Sequence, residues 1–79
     1  MRLILESTEK VVTLQIGGVN VPARVWQGHY AGAQIHAYIT RVAVPIDAPP
    51  HVHDEFERAL REVAAPRADV AAIPLRLVL

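Results

Sequence analysis

Val12, Leu14 and Ile16 alternate with Thr13 and Gln15, and the alternation is cut off by Gly17-Gly18-Val19-Asn20. A period of two sends successive side chains to opposite faces of an extended chain, so the three aliphatics define one half-buried strand face. Glycine adopts positive φ without penalty, and a Gly-Gly pair followed by asparagine supplies what a tight hairpin turn requires. The chain is therefore expected to return in a second strand over Val21 to Gln27, with Val21, Ala23 and Val25 inward and Arg24 and Trp26 outward. Pro22 has no N–H to give to a ladder, which assigns it to a strand start or an edge. A lone hairpin is marginal in water, so the rest of the sequence has to cover its apolar face.

Gly28-His29-Tyr30-Ala31-Gly32-Ala33 reads as a looser connection, followed by a long strand from Gln34 to Val44. Within it Ile35, Ala37 and Ile39 share one parity while Val42 and Val44 have the other, which predicts a β-bulge near Thr40-Arg41. Pro45 and Ala48-Pro49-Pro50 end the sheet segment, because proline fixes φ and lacks a donor. Asp54 and Glu57 have capping-box spacing, and Phe56, Leu60, Val63 and Ala64 fall on one helical stripe, so a helix is expected to run from Asp54 until Pro66 stops it. Burying Phe56, Leu60 and Val63 would contribute about 1.5–3 kcal/mol each, and Leu60→Asp is expected to unfold the domain. Leu75, Leu77 and Leu79 alternate around Arg76 in a closing strand, and Arg2-Leu3-Ile4-Leu5 opens the chain in a similar way. The expected fold is α+β, a small antiparallel meander or partial barrel with one helix, in the order β-β-β-β-α-β.

With 79 residues the chain has room for a single domain, residues 1–79, and no cysteine is present to brace it. The apolar fraction of 52% must supply the core. The short apolar start has no signal-peptide pattern, and no segment approaches the roughly 18–20 apolar residues that cross a bilayer. A cytoplasmic protein without membrane association is the expectation. Eight basic and eight acidic side chains cancel, which removes the long-range attraction behind sequence-independent nucleic-acid binding.

His51-Val52-His53-Asp54-Glu55-Phe56-Glu57 is the densest cluster of chemically capable side chains. Imidazole and carboxylate suit zinc or iron, and the H-x-H-x-x-x-E spacing superficially resembles the metal-binding segment of cupins, which would make His51, His53 and Glu57 ligands of a divalent metal. A complete set would need His29 or His36, and the flanking glycines of that motif are missing, so the expectation is no cofactor, with His51 and His53 solvated beside the helix start. Ser7 has no nucleophile elbow and Gly17-Gly18 is no phosphate loop, so no catalytic residue is assigned and no enzyme is expected. If the aliphatics of the meander face the helix, then Arg24, Trp26, His36, Tyr38, Thr13 and Gln15 line the opposite face. Trp, Tyr and Arg are the residue types enriched in binding hot spots, so this face is the expected binding surface unless the sheet curls and takes Trp26 into a core.

Four stretches, Pro22 to His29, Ala37 to Val44, Glu55 to Leu60 and Ile73 to Leu79, together resemble small uncharacterised proteins encoded by tailed phages and prophages. The resemblance implies a compact accessory product that binds another macromolecule inside a bacterial cell, with inhibition of a host or defence protein as one form of that role. The functional expectation is a non-enzymatic protein-interaction module that binds a protein partner or self-associates into a homo-oligomer. A small metal- or ligand-binding protein and a structural virion component are the alternatives.

Overall fold

The computed structural model describes residues 1–74 together with the backbone of residues 76–78. The fold is α+β. Strands β1 (Leu5–Ile16), β2 (Val19–Tyr30) and β3 (Ala33–Ile39) are followed by helices α1 (Pro50–Leu60) and α2 (Ala68–Ala71) and by a short strand β4 (Arg76–Val78). They form one sheet in the order β3-β2-β1-β4, antiparallel except for β4, which runs parallel to Thr13–Gln15 of β1. The order is thus β-β-β-α-α-β rather than β-β-β-β-α-β. Leu75 and Leu79 of the expected closing strand lie outside the described residues.

Both hairpin turns have two residues and positive φ at each, Gly17 (58°) with Gly18 (80°) and Ala31 (50°) with Gly32 (81°). These are the left-handed pairs whose twist matches that of the flanking strands. The first turn is the expected one and pairs Ile16 with Val19, which sets Leu14 opposite Val21 and Val12 opposite Ala23. The second replaces the expected six-residue connection, because β2 continues through Gly28 and His29 to Tyr30. Pro22 sits where β3 has already ended, since Ile39 pairs with Arg24 and nothing in β3 lies beyond it. Its missing N–H faces that open edge.

The expected opening strand does not form: Arg2, Leu3 and Ile4 lie outside the sheet, and β1 begins only at Leu5. β1 carries three residues, Thr8 to Lys10, where β2 carries only Val25 between its paired positions. This bulge lies in β1 and not at Thr40-Arg41, where the strand simply stops at Ile39. Its polar sequence hides it from a reading based on alternation. Thr8 is fully buried, its hydroxyl donating to the Val25 carbonyl (2.7 Å) and accepting from the Lys10 amide (3.2 Å). The extra backbone is met from outside the hairpin, where Ala64 N–H donates to Ser7 O (2.8 Å) and Glu9 N–H to Ala64 O (3.3 Å).

That meeting also explains why α1 is shorter than its apolar stripe. Ala64 pairs with Thr8 of the bulge, and the helix ends at Leu60, six positions before the proline expected to stop it. Its start is early as well, with extended Pro49 at the cap and Pro50 in the first turn, and no side chain caps it. Proline is pre-organised for the first helical position and needs no donor there. Asp54 therefore lies inside the helix and not at its cap.

The core is on one face of the hairpin, where Val12, Leu14, Ala23 and Val25 pack with Val70 of α2, and Tyr38 and Ile73 close its sides. Gln27 is buried in the same row, its amide donating to Glu6 Oε1 (2.9 Å) and Ala65 O (3.3 Å) and accepting from the Arg67 amide (2.9 Å). The helix that closes the core is thus the four-residue α2, while α1 buries none of its residues. Among the described residues no helix is long and apolar enough to cross a membrane.

Candidate functional site

The two-residue turn at Ala31-Gly32 fixes Tyr30 opposite Ala33, so odd-numbered residues of β2 share a face with even-numbered residues of β3. Val25 stands opposite Tyr38, Gln27 opposite His36, Arg24 opposite Ile39 and Trp26 opposite Ala37. This divides the surface expected from the sequence. Arg24 and Trp26 stay together on the outer face, the one turned away from Val70. Thr13 and Gln15 share that face further along, opposite Pro22 and Asn20 near the first turn. His36 and Tyr38 lie on the inner face, where their rings meet edge-on at 5.3 Å and His36 Nε2 is 3.1 Å from Tyr38 Oη. A connection of six residues permits either parity, whereas a turn of two permits only this one. Ile35, Ala37 and Ile39 are correspondingly on the outer face.

The outer face carries a cleft around Arg24 and Trp26. A cavity of about 380 Å³ is bounded by these two side chains, by Ile39 at the end of β3, by Thr40, Arg41, Val42 and Ala43, and by Leu60 at the end of α1. A second of about 120 Å³ continues beneath the helix, where Ser7, Phe56 and Ala59 join Arg24, Trp26, Val42 and Leu60. Trp26 is half-buried and forms the floor shared by both. Arg24 is anchored, since Nη1 donates to the Thr8 carbonyl at 2.7 Å, so the bulge that bends β1 also positions the guanidinium. Among the described residues the lining holds two arginines and no acidic side chain. Ser7, deeper in, donates its hydroxyl to Glu62 O (3.2 Å) and so ties the end of α1 to the sheet.

The sequence pattern places Arg41 and Val42 in a strand and Phe56 and Leu60 in the core, and so points to none of the four as a site residue. The usable signal was the parity break between Ile39 and Val42. Two apolar sets that cannot share a strand face need two environments, and Val42 finds the second one in the cleft wall after the chain leaves the sheet.

His51, His53 and Glu57 all lie on α1, and among the described residues no three His, Asp or Glu side chains are grouped so that they could hold a metal ion. The ion pair found among the described residues is Arg67 with Asp69 (3.1 Å). Arg67 also donates to the carbonyls of Gly28 (2.7 Å) and Ile35 (2.8 Å), fastening the α2 segment to two strands at once. No family model, curated protein or solved structure matches the chain.

Proposed function

We infer that the chain is a non-enzymatic protein-interaction module whose docking site is the Arg24–Trp26 cleft. The observation that carries this reading is that α1 stands over the sheet with no residue buried. A helix serving only to close a core would press its stripe onto the strands. Here Leu60 instead walls an apolar space of about 380 Å³, within the roughly 300–1,000 Å³ typical of ligand pockets, and Phe56 lines the smaller space of about 120 Å³ beside it. Tryptophan and arginine supply hot-spot contacts, the one through area and the other through bidentate hydrogen bonding. Two guanidiniums without a carboxylate in the lining favour a partner segment that presents an apolar side chain flanked by Asp or Glu. The resemblance to phage accessory proteins favours a host or defence protein as the source of that segment.

Trp26 is the only tryptophan in the chain, so its emission reports on the cleft. Titration with peptides carrying Leu or Phe between acidic residues is expected to shift that emission to the blue and saturate, while matched basic peptides leave it unmoved. Leu60→Asp places a carboxylate in the cleft wall and is expected to abolish the response. An emission unmoved by every acidic peptide, or a response that survives Leu60→Asp, rules the reading out.

A further inference from the structure

We propose that two copies of the chain pair antiparallel through the outer edge of β3, across a twofold axis at His36. The geometry begins at the turn. Because Tyr30 and Ala33 flank a two-residue loop, they form a hydrogen-bonded pair, and the alternation of an antiparallel ladder then makes Gly28 with Ile35 and Trp26 with Ala37 hydrogen-bonded pairs also. The N–H and C=O groups of Gln34, His36 and Tyr38 consequently point away from β2. β3 is the last strand of the sheet on that side, and no other backbone segment among the described residues bonds to those three positions.

Natural edges are blunted by lysine, proline, bulges or inward charges. β3, Ala33-Gln34-Ile35-His36-Ala37-Tyr38-Ile39, has none of these. Its sequence is moreover complementary to itself. With His36 on the axis, Ile35 of one copy faces Ala37 of the other and Ile39 faces Ala33, so each large outer-face side chain meets a small one. On the inner face Gln34 meets Tyr38, a donor–acceptor pair, and no like charges are opposed. The chain's zero net charge opposes no second copy at long range. The chain also exposes 5942 Å² where a monomer of 8.7 kDa is expected to expose about 4,700 Å².

A residue on a twofold axis faces its own copy, which gives the proposal a specific test. Light scattering on the full chain is expected to give twice the mass of one chain. His36→Lys and His36→Asp each oppose like charges across the axis and are each expected to be monomeric, whereas their mixture is expected to form a heterodimer visible by native mass spectrometry. Circular dichroism of each variant alone checks that it folds, and hydrogen exchange of the unmodified chain provides a measurement that needs no variant. The amides of Gln34, His36 and Tyr38 are expected to be protected in the dimer and to exchange freely on dilution. A chain that stays monomeric at high concentration, a dimer indifferent to both substitutions, or a dimer with those amides unprotected overturns the proposal. Leu60→Asp, which blocks the cleft, is expected to leave the dimer intact, so the two surfaces are tested separately.

Discussion

Gln27 occupies a position where the alternation Ala23, Val25 asks for another aliphatic, and it is 4% exposed. Its amide is saturated on both sides, by Glu6 and Ala65 as acceptors and by the Arg67 N–H as donor. A buried polar group so satisfied is worth only a modest net stabilisation, but removing it strands its partners. Gln27→Leu, which adds apolar character to a core position, is therefore expected to destabilise by about 1–3 kcal/mol in urea titration. A neutral or stabilising result would mean that water or a shifted segment 65–67 satisfies those groups instead. Arg67 belongs to the same tie, reaching the carbonyls of β2 and β3 with a guanidinium held by Asp69. Gly28 shows the complementary constraint on the other face, since a Cβ there would collide with the backbone carbonyl of Ile4. None of these three roles leaves a mark in hydrophobic periodicity, because each is a long-range hydrogen bond or a close backbone approach.

At the scale of elements, the long helix and the short one exchange the roles that their sequences suggest. Phe56, Leu60, Val63 and Ala64 form a good stripe, yet Leu60 is 44% and Val63 39% exposed, while Val70 in a single turn of helix is fully buried. Stability measurements should follow burial and not periodicity. Val70→Ala is expected to cost about 2–3 kcal/mol, and Leu60→Asp to change stability by less than about 0.5 kcal/mol, as surface substitutions do. If Leu60→Asp unfolds the chain, α1 packs on the sheet in solution and the cleft closes. The first hairpin was legible because its turn and its alternation are local signals that agree: Gly17-Gly18 and the Val12/Leu14 row both survive. The parity of β3 was not, because it hangs on whether the turn takes two residues or six. Ala31, a non-glycine at positive φ, conceals the shorter answer. With the parity went two of the six expected site residues: Arg24, Trp26, Thr13 and Gln15 keep the outer face, while His36 and Tyr38 go to the other. The end of α1 was hidden for another reason, since Ala64 pairs with a bulge that no local pattern announces.

The whole molecule is more open than its length requires. Its radius of gyration is 14.2 Å, against about 12 Å for a compact domain of 79 residues. Its exposed area of 5942 Å² leaves only about half of the unfolded chain's surface buried, where even a 60-residue domain buries about 60%. Among the described residues the buried apolar side chains are Val12, Leu14, Ala23, Val25 and Val70, while Val42 and Leu60 of the cleft wall stay exposed. Heat capacity provides a direct measure, because the increment on unfolding scales with the apolar surface that becomes hydrated. A fully packed chain of this length should show about 1 kcal/mol/K. Scanning calorimetry of the dilute chain is expected to fall short of that value by about 15%, in proportion to the missing burial. Raising the concentration until the β3 edges pair should restore it per chain, and the midpoint should climb with concentration, since whatever binds only the folded form stabilises it by mass action. His36→Lys should remain at the lower value at every concentration. A full increment from the dilute chain would place the outer-face residues in a closed core and remove the physical reason for a partner at either surface.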